Sequence, residues 1–168
     1  MNLLARLLRG WRGHPAHPPL TDVTMGASTV GAVAVIAGLL GFLEARMVNL
    51  AFLALAVGLI SSVLTILTGV VDYVRIARGS PLRRTATLHW VVQVIATAMF
   101  LVAAALLQPA RNAGAMPWGG GLVALAAWAA LTFGSWVGGA LVFVHGMRVL
   151  GEPDAPTREA LKPKWPPD

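Results

Sequence analysis

The sequence predicts an all-α integral membrane protein, a bundle of four transmembrane helices with both termini in the cytoplasm. The 168 residues are 57% hydrophobic and only 12% charged, which is too little polar surface to cover a soluble globule. Four charge-free stretches are also long enough to cross a bilayer, which takes roughly 20 residues of helix. Eleven of the 13 lysine and arginine residues lie in the segments that the predicted topology places on one side of the membrane.

The N-terminal segment, residues 1–13, is predicted to lie on the membrane surface. Its sequence, MNLLARLLRGWRG, interrupts the leucines with Arg6 and Arg9 and has no small-residue cleavage site. This pattern favours a short amphipathic helix on the cytoplasmic leaflet over a cleaved signal peptide.

The transmembrane domain is predicted to span residues 14–149. The first two helices are joined by the short turn EAR, and the last two by a connection around Pro109 and Pro117. Short connections make each pair an antiparallel hairpin. The expected helices cover approximately residues 22–43, 47–72, 85–107 and 120–146.

Basic residues predict the orientation of these helices. The N-terminal segment, the loop at residues 72–84 and the end from residue 145 hold eleven of them, whereas the other two connections hold only Arg46 and Arg111. Because basic loops stay in the cytoplasm, both termini are predicted there, in a multi-pass protein of the bacterial inner membrane. The proline-rich tail, residues 150–168, is predicted to be extended and to offer a docking strip.

Composition limits the partners and cofactors that the chain is expected to bind. The basic residues flank apolar runs instead of alternating with aromatics, so nucleic acid is not an expected partner. The chain has no cysteine, which excludes disulfides, haem c attachment and cysteine-ligated clusters. A metal would need histidine and carboxylate ligands, or would arrive with a porphyrin.

All four histidines are predicted to lie near the cytoplasmic face, together with two aspartates. His89 lies within an apolar helix and should face the bundle, where it meets a ligand or a neighbouring hydroxyl or carbonyl group. Asp72 closes a helix where the dipole disfavours an anion, so it needs a cation such as Arg75, or a metal. Asp22 serves either as a ligand or as a helix cap. The full set is His14, His17, His89, His145, Asp22 and Asp72.

Small residues at four-residue spacing indicate close helix packing. Such spacing places them on one face, where neighbouring backbones can approach. The residues assigned to helix packing are Gly134, Gly138, Gly139, Gly58 and Ser62.

Four dispersed motifs resemble a bacterial four-helix membrane domain of unknown function that is sometimes joined to a Rieske iron–sulfur domain. They are GHPAHPPL, LTGVVDYVRI, LHWVVQV and GSWVGGALVFVHGMRV. The resemblance spans Gly13 to Val149, and its pattern marks the four histidines, Asp72, Gly138, Gly139 and Gly146. The chain departs from this pattern at Asp22, Val23 and Thr24, where the family usually has a further histidine element.

The leading functional hypothesis is a small membrane subunit that binds haem b through histidines at the cytoplasmic face and takes part in electron transfer. The expected axial pair is His89 with His145 or His17, and His14 is a further candidate. A non-haem metal held by Asp72, Asp22, His89 and His145 is the alternative cofactor.

Two hypotheses need no cofactor. The first is a structural or assembly subunit of a larger membrane complex. The second is a small-solute or proton-coupled carrier, which is less favoured because the predicted helices lack polar groups near the midplane of the bilayer. Besides lipid, the expected partners are other membrane or redox subunits or further copies of this chain, and a non-catalytic role is favoured over an enzyme.

Overall fold

Four long helices form the protein in a computed structural model that describes residues 8, 10, 11, 14–151 and 153–161. They are α1 (His17–Leu39), α2 (Glu44–Tyr73), α3 (Pro81–Ala113) and α4 (Trp118–Phe143), and a single turn, α5 (Thr157–Ala160), follows. Two short strands, β1 (Gly10–Trp11) and β2 (His14–Pro15), pair antiparallel ahead of α1. Each long helix has the length and apolar composition to cross a membrane, which confirms the predicted all-α membrane bundle.

The helices pack as two hairpins, α1 with α2 and α3 with α4. Contacts within each hairpin are the most extensive, and α2 also packs on α3 while α1 packs on α4. The start of α1 and the end of α4 consequently lie at one end of the bundle, called here the terminal end. Most of the predicted amphipathic segment, and residues 162–168 of the tail, lie outside the described residues.

Helix α1 begins at His17, not near residue 22. Pro18 and Pro19 occupy its first turn, where amides have no intrahelical acceptor, so prolines cost no helix hydrogen bond. Asp22 therefore lies inside the helix and does not cap it, because the first turn contains no acidic residue.

The turn between α1 and α2 lies at residues 40–43, ahead of the predicted EAR turn. Gly41 has a φ of 80°, a left-handed conformation that glycine adopts without steric cost. Glu44 then begins α2, where a carboxylate interacts favourably with the helix dipole, and its Oε2 accepts the Met116 amide at 3.4 Å.

Helix α3 is longer than its predicted range of 85–107. It starts at Pro81 because the Ser80 side chain accepts the Arg83 amide hydrogen, forming an N-cap. It continues through Pro109, since transmembrane helices tolerate proline where neighbouring groups compensate for the lost hydrogen bond. Gly114, with a φ of 67°, ends it.

The interior is built mainly from alanine with a few larger side chains. Leu55 and Leu107 are the largest fully buried residues, and Phe100 joins the same core cluster. By contrast, Ile60 is 68% exposed and Trp136 is 74% exposed, as expected for side chains that contact lipid. This distribution places the protein's apolar exterior against the bilayer.

Candidate functional site

A cavity of about 390 Å³ lies between all four long helices and extends inward from the terminal end. Its wall is mostly apolar. The polar groups on it include His17, Asp22, His89 and Gln93, with Asp72 and Arg148 nearer the terminal end. Small-molecule sites commonly have this form, a largely apolar space with a few placed polar groups.

His17, the first residue of α1, reaches across to α2. Its Nδ1 lies 3.0 Å from the Thr65 carbonyl oxygen and 3.2 Å from the Thr68 hydroxyl. That hydroxyl has a single hydrogen, and the carbonyls of Leu64 and Thr65, at 3.1 and 2.9 Å, are both within reach to accept it. Both partners of His17 are therefore acceptors, and Nδ1 must carry the hydrogen.

His89 makes the corresponding contact between α3 and α4. Its Nδ1 lies 2.7 Å from the Gly134 carbonyl oxygen, which can only accept a hydrogen bond. In a neutral ring, the hydrogen on Nδ1 leaves Nε2 with a free lone pair. The same tautomer follows for His17.

The two imidazoles are neighbours within the cavity. Their ring centroids are 6.4 Å apart, with an edge-to-face angle of 79°. An ideal Cβ on Gly69 would be 3.3 Å from Nδ1 of His17 and 3.8 Å from its Nε2. The corresponding distances from Gly138 to His89 are 3.0 and 3.7 Å. In each ring, Nε2 thus lies farther than Nδ1 from the glycine of the partner helix that the ring contacts.

The other two histidines lie elsewhere. His14 is exposed, and its Nε2 donates to the Leu161 carbonyl at 3.2 Å. His145 follows the end of α4, and its Nε2 is 3.1 Å from the Thr85 hydroxyl. Neither lines the cavity. Of the predicted axial pairs, the structure therefore brings together His89 with His17 and not His89 with His145.

The alternative metal-binding set does not come together. Asp72 forms an ion pair with Arg148, whose Nε is 3.7 Å from Oδ2, and Asp22 is exposed at the edge of the cavity. Among residues 14–151 and 153–161, no three histidine or carboxylate side chains converge as metal ligands. Arg148 supplies the cation that the position of Asp72 at a helix C-terminus requires.

Aromatic side chains form one wall of the cavity. Trp90 stacks on Tyr73 with centroids 6.3 Å apart and an interplanar angle of 13°. The Arg83 guanidinium lies 3.6 Å from the centre of the Tyr73 ring, and the Tyr73 hydroxyl is 2.9 Å from that of Thr87. These contacts hold Trp90 on the wall of the cavity that His17 and His89 also line.

Gln93 lies one helical turn beyond His89. Its Nε2 donates to the Ser135 hydroxyl at 3.3 Å, and Ser135 in turn donates to the sulfur of Met25 at 3.2 Å. Its Oε1 is buried and has no hydrogen-bond partner in the described part of the chain. Buried polar atoms nearly always have a hydrogen-bond partner, so Oε1 of Gln93 is an acceptor available to a group in the cavity.

The residues assigned to helix packing have different surroundings. An ideal Cβ on Gly58 would lie 3.0 Å from the Ser28 hydroxyl of α1, and on Gly134 it would lie 2.7 Å from Gln93. Ser62 is buried and donates to the Gly58 carbonyl. Gly139 meets only Phe143 of its own helix.

Sequence reasoning missed four components of this site: two backbone carbonyls, Gly69 and Trp90. The carbonyls of Thr65 and Gly134 are backbone atoms, which no side-chain pattern reveals. Gly69 lies four residues after Thr65 within an apolar helix. This spacing becomes meaningful only once the Thr65 carbonyl is known to bind His17. Trp90, directly after His89, was recognisable only as a further apolar residue.

Comparisons with known proteins place the chain in a family. Neither a comparison with curated proteins nor one with solved structures finds a significant match. The family described as "Predicted membrane protein (DUF2231)" matches residues 13–151, which cover all four long helices and both cavity histidines. The chain belongs to this family of membrane proteins.

Proposed function

We propose that this protein is a small membrane subunit that holds a redox-active metal centre, foremost haem b iron, through Nε2 of His17 and His89. The observation that carries the proposal is the matched state of the two imidazoles. Each donates its Nδ1 hydrogen to a backbone carbonyl, so each keeps Nε2 available as a ligand. Metal-binding histidines usually have their second nitrogen fixed in this way.

The separation of the rings supports a shared centre. One ion held between two Nε2 atoms by bonds of about 2.0–2.1 Å would place the ring centroids roughly 6 Å apart. The observed separation is 6.4 Å. The separation of the His17 and His89 rings therefore suits two ligands of a single metal.

The number of ligands favours haem over a bare ion. A closed zinc site takes four protein ligands and a catalytic one takes three, whereas a haem iron needs only one or two axial residues. The described part of the chain brings together two imidazoles without a third histidine or carboxylate ligand. A cavity of about 390 Å³ lies within the range of about 300–1,000 Å³ for small-molecule sites.

The surrounding residues give the centre a defined environment. The wall is mostly apolar and includes the stacked Tyr73 and Trp90, while Asp72 and Arg148 lie nearer the terminal end. A bound haem would supply one-electron chemistry, and the chain would orient it and tune its electrostatics. We assign the protein to the bacterial inner membrane, with the terminal end in the cytoplasm and another redox or membrane subunit, or a second copy, as partner.

A cofactor-free structural subunit is the second candidate. The same hydrogen bonds favour it, since His17 links α1 to α2 and His89 links α3 to α4. In this function the imidazoles would act as cross-links that keep each hairpin closed, and partners would bind the outside of the bundle.

Absorption spectra and metal analysis of the protein purified in detergent distinguish the two functions. We expect a Soret band and stoichiometric iron in the wild type, and loss of both in His17→Ala and His89→Ala. The matched controls, His14→Ala and His145→Ala, remove histidines outside the cavity and should retain the spectrum. A bare metal would appear in the analysis without a Soret band. A colourless, metal-free preparation that co-purifies with a stoichiometric partner would contradict the proposal and favour the structural subunit.

A further inference from the structure

The first hairpin contains a compact unit for holding an imidazole. Thr65 accepts the hydrogen bond from His17 Nδ1, and Gly69 follows Thr65 by one helical turn. An ideal Cβ at Gly69 would lie 3.0 Å from Cε1 of His17, closer than ordinary van der Waals contact. The ring therefore lies directly against the backbone of α2 at this glycine.

The second hairpin repeats the unit. Gly134 accepts the hydrogen bond from His89 Nδ1, and Gly138 follows by one turn. An ideal Cβ at Gly138 would lie 2.8 Å from Cε1 of His89. The histidine precedes its acceptor by 48 residues in the first hairpin and by 45 in the second. The two units thus have the same order and nearly the same spacing.

Helix geometry explains why a glycine follows each acceptor. A helical carbonyl already accepts the amide of the residue one turn later, and its oxygen has a second lone pair. The side chain of that later residue leans toward the N-terminus and covers the carbonyl. A glycine at this position has no side chain to cover the carbonyl, so an imidazole ring from a neighbouring helix can lie against the backbone and reach the second lone pair.

We propose that Gly69 and Gly138 are positioning residues that hold His17 and His89 as two equivalent ligands. Each glycine leaves a carbonyl accessible, and that carbonyl sets the tautomer and orientation of one imidazole. Because the unit occurs once in each hairpin, the bound centre receives one ligand from each half of the bundle. The statement about the bound centre rests on the proposed function, whereas the positioning of the rings does not.

Ring-nitrogen NMR of the full chain, isotopically labelled at histidine, tests the positioning directly. His17→Gln and His89→Gln variants assign the signals. We expect both rings to show the Nδ1–H tautomer in the wild type. Gly138→Ala should convert the His89 signal to a tautomer mixture and leave His17 unchanged, and Gly69→Ala should do the reverse.

Two other glycines provide matched controls, Gly139 next to Gly138 on α4 and Gly26 on α1. Among the described residues, an ideal Cβ on Gly139 would meet the Phe143 ring at 3.8 Å or more, and one on Gly26 would meet no atom within 4 Å. Gly139→Ala and Gly26→Ala should leave the two tautomers unchanged, and circular dichroism should show wild-type helix content in every variant compared. Unchanged tautomers in Gly69→Ala and Gly138→Ala, or equal changes in the controls, would overturn the inference.

Cofactor content separates this inference from the proposed function. If the centre is present, we expect Gly69→Ala and Gly138→Ala each to weaken its binding by about 10-fold, as loss of an outer-shell partner does at metal sites. Loss of binding in only one of them would overturn the equivalence of the two ligands. A cofactor-free wild type would overturn the proposed function and the bound centre, while the tautomer result would still decide the role of the glycines.

Discussion

Small side chains determine how closely the residues of this bundle approach one another. Ala34, Ala51, Ala96, Ala103 and Ala127 are each at most 1% exposed. Lipid tails are as apolar as leucine, so association of transmembrane helices depends on close packing and not on the exclusion of water. Alanine and glycine allow that packing, and a large buried side chain then fills the space that remains.

Leu55 is one of those large side chains and provides a test of packing. It is 1% exposed, whereas Leu53, two residues earlier on α2, is 55% exposed. We expect Leu55→Ala to lower the free energy of unfolding by about 2 kcal/mol, because a cavity remains in the core. Leu53→Ala should change it by less than about 0.5 kcal/mol. Denaturant unfolding in detergent measures both, and equal effects would show that Leu55 does not pack in the core.

Single residues also show where sequence reasoning succeeds. The position of His89 in an apolar helix correctly indicated a bundle-facing side chain with a partner, because an unsatisfied polar group is costly in a bilayer. The identity of the partner, the Gly134 carbonyl, depends on how α3 is placed against α4. His17 and His145 could not be ranked as the second ligand for the same reason, since both lie near the same end of the bundle.

The ends of the elements follow local signals, while the contacts between elements do not. Ser80 with Pro81, Gly114 and Gly146 mark helix ends by capping or by left-handed backbone, and all are visible in the sequence. The predicted helix ranges nevertheless differ by several residues, because charge-free stretches measure the apolar part of a helix and not its hydrogen-bonded length. The ion pair of Asp72 with Arg148 joins α2 to the segment after α4 and has no local signal.

The ion pair between Asp72 and Arg148 should contribute to the free energy of unfolding. The two side chains are 11% and 20% exposed, so water screens them less than it screens a surface pair. We expect a double-mutant cycle of Asp72→Asn and Arg148→Gln to give a coupling energy of about 1 kcal/mol in unfolding experiments. Arg84→Gln, which removes an exposed arginine, serves as the charge control and should change stability by less than about 0.5 kcal/mol.

Additivity of the two single substitutions would contradict that coupling. Asp72 and Arg148 each have further interactions, so the single variants alone do not isolate the pair. The cycle removes these other contributions, provided that neither variant forms a new contact. Its result therefore reports on the link between α2 and the segment that follows α4.

The whole molecule combines two similar hairpins with an asymmetric distribution of charge. The connection between α2 and α3, together with the start of α3, contains Arg75, Arg78, Arg83 and Arg84. The opposite end carries Arg46 and Arg111, and Arg111 donates to Asn49 at 2.9 Å. Overall architecture was predictable because hydropathy and charge act on long segments. The cavity was not, since it depends on the relative placement of all four helices.

The orientation of the whole molecule in the membrane can be tested. Basic connections are retained in the cytoplasm, so the α2–α3 connection is predicted to lie there. The chain contains no cysteine, so single-cysteine variants need no altered background. Ala77→Cys places an exposed thiol in the α2–α3 connection, and Asn112→Cys places one near the opposite end of α3. We expect a membrane-impermeant maleimide to label only Asn112→Cys in intact cells and to label both variants after permeabilisation.

The reverse labelling pattern in intact cells would place the terminal end, and with it the mouth of the cavity, outside the cytoplasm. Labelling of both variants in intact cells would contradict the assignment of the two connections to opposite sides of the membrane. The reverse pattern would also move the proposed electron partner to the other compartment, because Asp72 and Arg148 lie at the end of the cavity nearest the α2–α3 connection. The labelling experiment therefore constrains the proposed function as well as the topology.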